Sequence, residues 1–296
     1  VRSQHQPRSP FQGVLDRGLT IARDMVAEAS QMQRKPFPVS YLTLGVKCGG
    51  SSAVSGIAGN CVTGRVLDRL ISEGGTAIFS ETTEVIGADH LLVKRAINEK
   101  VARQFRAAVD RMEARIKGTG EDIRGSQPTR GNIAEGLTTI EEKSLGALAK
   151  TGTSPLRGVL EYGEKPQGKG LFFMDGSAMT SELIVGEVAA GSLIHIYNVG
   201  GGITSSFRCP PGWMGEIPIV PQISVVSKES NPSDSQEREF FDIYADTVIE
   251  GSESIEQVAD RLFEEIIAVA SGKLTKREMR SGYREPIVMY TTGPIL

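Results

Sequence analysis

Cysteine is scarce in this sequence: only Cys48, Cys61 and Cys209 occur among 296 residues. The number is odd and no Cys-x-x-Cys pair is present, so neither a disulfide framework nor a structural zinc site is indicated. Long apolar stretches are also missing. No run approaches the roughly 18 residues of a membrane span, and the opening Val1-Arg-Ser-Gln-His-Gln-Pro-Arg-Ser-Pro10 lacks the apolar segment of a secretory signal. A cytoplasmic protein with no membrane partner is expected. Nor does charge of one sign accumulate: 33 Lys and Arg are interleaved with 36 Asp and Glu, for a net charge of −3. A nucleic-acid partner therefore has no electrostatic support. What is abundant is glycine, with 34 residues against 14 prolines. The glycines have no period of three, which excludes collagen, and with proline they remain too few for disorder. A chain of this length buries enough surface for one large domain or two small ones. It opens on Val1 instead of methionine, so a trimmed or partial protein is expected.

The apolar periodicity predicts a helix over 11–34, closed by Pro36 and Pro38, and then changes character. Tyr41-Leu-Thr-Leu-Gly-Val46 has the length of a buried strand and runs into Lys47-Cys-Gly-Gly-Ser-Ser52. A helix at 61–73 and a second apolar run, Thr76-Ala-Ile-Phe-Ser80, complete the pattern of a βαβ unit. The spacing of Val93, Ile97, Val101, Phe105, Val109, Met112 and Ile116 predicts one long scaffold helix over 89–117. Residues 118–136, with five glycines, read as a long loop of functional interest. Beyond it the pattern predicts helices at 138–150, 179–190 and 254–271. Strands are expected at 170–174, at 193–197 and near 217–226, with a Gly200-Gly201-Gly202 turn and a polar loop at 228–236. This alternation predicts an α/β class: a layered, Rossmann-like fold with a mainly parallel sheet and glycine-rich loops at the C-terminal ends of its strands. No internal repeat is present.

In such sheets ligands bind beyond the carboxyl ends of the strands. The predicted strands end at Lys47, Cys48 and the Gly49-Gly50-Ser51-Ser52 loop, at Glu81 and Glu84, at Asp175, and at Asn198 with the triple glycine. Glycines there let backbone N–H groups approach an anion, and the serines add hydroxyl donors. A nucleotide is not indicated, because the Walker A pattern is absent and Gly200-Gly201-Gly202-Ile-Thr-Ser205 lacks the third glycine of a dinucleotide fingerprint. Glu81-x-x-Glu84 with His90 offers oxygen and nitrogen donors for Fe²⁺, Mn²⁺ or Mg²⁺. The same acids also suit a helix N-terminus, and His90 also suits packing beside Leu91. Thr138-x-x-Glu141 and Thr139-x-x-Glu142 both fit a capping box. Lys143 is not the charge that capping selects in a first turn, so it is open to an anionic contact or to proton transfer. His195 reads as a core or edge-strand residue, Cys48 as a ligand or a polarised thiol, and Cys61 and Cys209 as structural.

Longer blocks carry a resemblance. Lys47-Cys-Gly-Gly-Ser51, Ser55-Gly-Ile57, Asn60, Gly74-Gly-Thr76, Ser80-Glu-Thr82, Glu84, Gly87-Ala88 and His90-Leu-Leu92 are followed in order by Gly131-Asn132, Gly136-Leu-Thr-Thr139 and Glu142-Lys-Ser-Leu-Gly146. Phe173-Met-Asp175 and Phe241-Asp-Ile243 continue the match. From about residue 40 onward the sequence resembles the C-terminal domain of the altronate/galactarate dehydratase family, which is similar to the large subunit of sulfolactate sulfo-lyase. The resemblance implies a helical extension or linker at 1–38 and a dehydratase-type α/β domain at 39–296. It implies a hydro-lyase that dehydrates a sugar acid such as altronate or galactarate to a 2-keto-3-deoxy acid, by abstracting the proton α to a carboxylate with the help of a divalent metal, commonly iron. On this basis Cys48, Glu81, Glu84 and Asp175 are expected to hold the metal, and Lys143 and His90 to serve catalysis. Lys47, Gly49, Gly50, Ser51, Ser52, Asn132, Thr138 and Thr139 are expected to bind the substrate.

The sequence departs from the family at several points. Ser52 stands where an aspartate is usual, Thr83 where a proline is usual, and Glu135 where a glycine is usual; Cys61 is a further departure, and Gly200-Gly201-Gly202 replaces the usual Thr-Gly-Arg-Gly. Full-length members carry N-terminal segments, so partners in the form of such segments or a small subunit are expected, together with a homo-oligomer. A sulfo-lyase large subunit and a non-catalytic anion-binding or assembly domain are the alternative readings.

Overall fold

The computed structural model describes residues 10–201, 217–228, 241–279 and 287–290. The chain divides into two compact units, 1–37 and 38–296. The first contains helix α1 (Pro10–Gln31), whose apolar residues Leu15, Leu19, Ala22, Val26 and Ala29 recur at spacings of three and four. No described helix is long and apolar enough to cross a membrane.

The second unit opens with β1 (Thr43–Cys48), α2 (Ala53–Ile57), α3 (Gly59–Ser72), β2 (Thr76–Phe79), α4 (Asp89–Arg95) and α5 (Glu99–Gly118). Short helices α6 (Ile123–Ser126) and α7 (Arg130–Ala134) lead to α8 (Ile140–Leu148), a 3₁₀ turn at Ala149–Thr151, β3 (Leu156–Leu160) and β4 (Gly170–Met174). The remainder is α9 (Thr180–Ala189), β5 (Ile194–Val199), β6 (Gln222–Val226), β7 (Ile243–Tyr244), α10 (Asp246–Glu250), α11 (Ile255–Ala270) and α12 (Lys276–Met279).

The described strands form one seven-stranded sheet in the order β3-β4-β2-β1-β5-β6-β7, and every pairing is parallel. β1, β2, β4, β5 and β6 are buried along almost their whole length, as expected of parallel strands covered on both faces. On one face Leu44, Val46, Phe79, Phe173, Ile196 and Val225 meet the apolar stripes of α3, α5 and α11. On the other, Ile78, Phe172 and Met174 pack with Ala190, which follows α9. The strand order reverses between β1 and β5, because the chain builds outward from β1 through β2 and then returns to β1's other side. That is the switch point at which an open α/β sheet leaves a crevice.

Local differences from the sequence reading have identifiable causes. The predicted helix at 89–117 is two helices: Ala96 bridges Leu156, Ile97 N–H donates to the Leu156 carbonyl at 3.0 Å, and the Asn98 side chain caps α5 by accepting from Val101 N–H. The loop predicted at 118–136 contains α6 and α7, while the first strand runs two residues beyond its predicted end. Most of the predicted 228–236 loop lies outside the described residues, as do Gly202 and Cys209.

Between β1 and α9 the core is not apolar. Gly45 lacks a side chain where a Cβ would collide with the Glu187 carboxylate. Glu187 Oε2 lies 3.1 Å from His195 Nε2, both side chains are fully buried, and the contact is too poorly aligned to form a hydrogen bond. Burial drives the Glu187 carboxyl well above its ordinary 4.5. Burial, with Arg277, Lys47 and Lys150 nearby, drives the His195 imidazole well below its ordinary 6.5. The folded pair therefore holds one proton, on Glu187. The unfolded pair holds two protons below pH 4.5, one between 4.5 and 6.5, and none above. The pair's contribution to stability is accordingly flat between these values and falls as pH drops below the range. As pH rises above it, the contribution falls by about 1.4 kcal/mol per pH unit until the raised Glu187 value is reached. Urea midpoints measured from pH 5 to 9 are expected to decline less steeply above pH 7 in Glu187→Gln than in the parent, and identical slopes would refute the assignment.

Candidate functional site

Val46 lies opposite Phe79, the last residue of β2, and β1 runs two residues further beside β5, so Lys47 and Cys48 lie beside the residues that follow β2 at one edge of the sheet. Two glycines bring the β1 and β5 loops together there. Gly49 lies against the Tyr197 ring and Gly200 against Ser52, each too close for any side chain. The loops are joined by hydrogen bonds from Gly49 N–H to the Asn198 carbonyl (2.6 Å) and from Gly200 N–H to the Gly50 carbonyl (3.0 Å).

At this edge a cluster of charges is buried. Lys47 Nζ donates to Glu81 Oε2 at 2.5 Å, and Lys150 Nζ donates to Glu84 Oε2. Each of these four residues is 6% exposed or less. Cys48 Sγ lies 3.4 Å from Lys150 Nζ and donates to Asn60 Oδ1 at 3.2 Å, while Ser51 Oγ makes a long contact of 3.4 Å to Glu84 Oε1. Lys143, half-buried, donates to Gln127 Oε1 at 2.8 Å, and its charge acts on both glutamates.

The two carboxylates are driven in opposite directions. Burial, then the neighbouring Glu84, raises the Glu81 carboxyl above its ordinary range despite Lys47, Lys143 and Lys150. Burial opposes the Glu84 charge as well, but Lys150, Lys47 and Lys143 outweigh it and hold this carboxyl below the ordinary range. Burial also works against both ammonium groups. Glu81 and Glu84 nevertheless keep Lys47 raised, and Cys48 and the two glutamates keep Lys150 raised. Burial and Glu84 push the Cys48 thiol up to about 12, so it is a neutral thiol at physiological pH. The Cys61 thiol, half-buried, is raised by burial.

Several expected site residues are engaged in holding the scaffold. Ser52 caps α2 in a reciprocal box with Ser55. Asn132 caps α7 with Thr129 and donates from Nδ2 to the Ser51 carbonyl at 2.8 Å, which ties α7 to the β1 loop. Thr139 caps α8 by accepting from Glu142 N–H, as the capping reading expected, whereas Thr138 does not cap with Glu141 but donates from its backbone N–H and its hydroxyl to Glu142. His90 is exposed in the first turn of α4 and makes none of the contacts that join the cluster. Asp175 accepts from Thr82 Oγ1 at 2.5 Å and from Arg111 Nη2 at 2.8 Å.

These positions bear on metal binding. Among the described residues no three His, Cys, Asp or Glu side chains converge as a metal centre. Glu81 and Glu84 each face a buried ammonium, the Cys48 sulfur carries its proton, and Asp175 is turned to Thr82 and Arg111. With both lysines in place this donor set does not fit a divalent cation, because the dication would have to share the carboxylates with two positive charges.

The sequence reading passed over Lys150, Thr82 and Arg111. Lys150 had one legible signal: it lies seven residues beyond Lys143, which is two helical turns and therefore one face. Thr82 stands within the Ser80-Glu-Thr82 block of the resemblance, but nothing marks it or Arg111 as a partner of Asp175, which is 93 and 64 residues away.

The sequence model of the family described as D-galactarate/altronate dehydratase, C-terminal, matches residues 39–294. The chain is 36% identical over 266 residues to the (2R)-sulfolactate sulfo-lyase subunit beta of Chromohalobacter salexigens, covering 89% of this chain and 65% of that one. It is 32% identical over 299 residues to the galactarate dehydratase (L-threo-forming) of Escherichia coli, covering 100% and 54%. It is 31% identical over 288 residues to the altronate dehydratase of Bacillus subtilis, covering 95% and 54%. The chain thus spans between half and two thirds of the length of these relatives.

The buried pairs make a stability prediction. Lys150→Met strands Glu84 and is expected to cost about 3–5 kcal/mol, whereas adding Glu84→Gln to it recovers most of the loss. Urea unfolding of the single and double variants measures the difference, and equal losses would show that Lys150 does not compensate Glu84.

Proposed function

The chain belongs to the D-galactarate/altronate dehydratase family, and we propose that it forms the charge-bearing part of a lyase that removes a β-substituent from a small hydroxy-carboxylate. The observation that carries this reading is the buried cluster at the strand ends, in which Glu81 meets Lys47 and Glu84 meets Lys150. Burial and Glu84 raise the Glu81 carboxyl, and the lysines lower that of Glu84. Such a pair separates a proton-transfer group from a fixed charge. Glu81, the stronger base of the two, suits acceptance of the α-proton, while Glu84 remains an anion that anchors Lys150.

The α-proton of a carboxylate is a very weak acid, so positive charge has to be waiting where the enediolate forms. Lys47, Lys143 and Lys150 face two glutamates, an excess of one positive charge that suits an anionic ligand. Lys143 is the partly exposed member and would meet the substrate carboxylate first. The Cα–H bond then breaks toward Glu81, the Cα=Cβ bond forms, and the Cβ–O bond breaks. The hydroxyl takes up the proton that Glu81 accepted and leaves as water, and the enol tautomerises to a 2-oxo-3-deoxy acid. No step passes through a metal, because the described donor set does not fit one.

A second reading keeps the same proton abstraction with sulfite as the leaving group, the Cβ–S electron pair departing with it. The 36% identity to a sulfolactate sulfo-lyase subunit supports it. In either case the remaining segments or a separate subunit would complete the enzyme, since the relatives are longer than this chain.

The test is to express the complete natural protein and screen altronate and galactarate for 2-oxo-3-deoxy products and sulfolactate for sulfite, with Fe²⁺ or Mn²⁺ and with chelator. Turnover of one of these acids is expected, and none under any condition would overturn the lyase reading. In the active enzyme Glu81→Gln is expected to lower kcat by roughly 10²–10⁴-fold. Lys143→Met is expected to raise KM, and unchanged constants in either variant would remove that residue from its role.

A further inference from the structure

Glu81 has φ 70° and ψ 77°, the one positive φ outside glycine among the described residues. A left-handed conformation crowds the Cβ of any L-residue against the following carbonyl, so it persists only where the surroundings impose it. What imposes it here comes from the end of β4. Ser80 Oγ donates to the Met174 carbonyl at 2.8 Å, Thr82 N–H donates to the Gly176 carbonyl at 3.2 Å, and Gly176 N–H donates to Thr82 Oγ1 at 3.1 Å. Thr82 Oγ1 in turn donates to Asp175 Oδ1 at 2.5 Å, and the other Asp175 oxygen is fixed by Arg111. Glu84 N–H closes the turn from the far side on the Glu81 carbonyl at 2.8 Å. The strained residue is thus pinned on both flanks while its carboxylate is free to meet Lys47.

We infer that Asp175 is a positioning residue: through Thr82 it holds Glu81 in the left-handed conformation that places its carboxylate against Lys47. The inference rests on the reading of Glu81 as the proton acceptor and gives Asp175 a role other than metal ligation. A hydrogen bond to a carboxylate is stronger than one to a neutral acceptor, and the Arg111 contact fixes which way that carboxylate faces. Arg111 and Asp175 also line a cavity of about 460 Å³ with Met112, Arg115 and Glu161, so the clamp is reached from solvent. Without it the Glu81–Thr82 peptide relaxes toward negative φ and carries the carboxylate away from its partner. Lys143, on α8, is unaffected, so substrate capture and proton transfer separate.

Two arms test this on the complete protein. The first needs no substrate: crystal structures of Asp175→Ala and Asp175→Asn. Glu81 is expected to leave positive φ in the alanine variant and to keep it in the asparagine variant, whose side-chain oxygen still accepts from Thr82. An alanine variant with Glu81 and its Lys47 contact undisturbed would overturn the proposal. Thr82→Val against Thr82→Ser asks the same question if the alanine variant does not fold. The second arm is kinetic. In Asp175→Ala, kcat is expected to fall by roughly 10²-fold at nearly constant KM, with rescue by Asp175→Asn. The midpoint of the acid limb of kcat is expected to move by about half a pH unit or more as Glu81 loses Lys47. An unmoved midpoint would mean a smaller folded fraction and would overturn the positioning role. A complete protein that turned over none of the acids would overturn the reading of Glu81, while the first arm would still decide the clamp.

Discussion

Four charges are buried at the ends of two neighbouring strands, and the surrounding architecture depends on pairing them. Taking an ammonium or a carboxylate out of water costs several kcal/mol even after relaxation, and only a well-placed partner offsets it. Lys47 and Glu81 meet because β1 and β2 are in parallel register and β1 runs on past the end of β2, which sets Lys47 beside the turn that carries Glu81. Lys150 reaches Glu84 because α8 runs close over α2, where Gly56 and Gly146 face each other with no side chain between their backbones. A larger residue at either glycine would push α8 outward and part Lys150 from Glu84. Such pairs are weak contributors to stability compared with an apolar core of the same volume. Their presence in the interior therefore argues for a task that apolar residues could not perform.

The same constraint explains where the glycines are needed. At the switch point between β1 and β5, Gly49 and Gly200 let two loops cross within hydrogen-bonding distance, so the loops close over Lys47 and Cys48. Deeper in the sheet, Gly45 makes room for Glu187, which sets a protonated acid beside an uncharged imidazole. Lys47 and Lys150 help keep His195 uncharged, so the two buried polar regions act on each other through the sheet. Glycine here serves the close approach of loops, helices and side chains as well as turns.

The strands buried on both faces were legible because parallel, covered strands read as short apolar runs: β2, β4 and β5 fall where the pattern placed them. β3 was not, because Leu156-Arg-Gly-Val-Leu160 lies at the sheet edge with Arg157 exposed and a register shift at Gly158. β7, of two residues, is too short for any period to show. The break between α4 and α5 was hidden because Ile97 continues the helical spacing while Asn98 interrupts it only as a cap. For the site, residue type and strand-end position singled out Lys47, Cys48, Glu81 and Glu84, and the structure brings these four together with Lys150. What escaped were contacts across long sequence separations: Thr82 to Asp175, and Lys150, whose place at a helix end matched an ordinary basic C-terminus.

Ser52 shows how a departure from the family pattern can be neutral for the fold and consequential for the site. Aspartate and serine are both strong N-caps, and Ser52 caps α2 in a reciprocal box with Ser55, so the helix start is preserved. The hydroxyl also fits beneath Gly200, where space is so short that any side chain there would strike it. What changes is charge. An aspartate at this position would set an anion next to Ser51, which contacts Glu84, and would offset the excess of lysine over glutamate. With serine the excess of Lys47, Lys143 and Lys150 over Glu81 and Glu84 stands among the described residues, and such an excess suits the arrival of an anion.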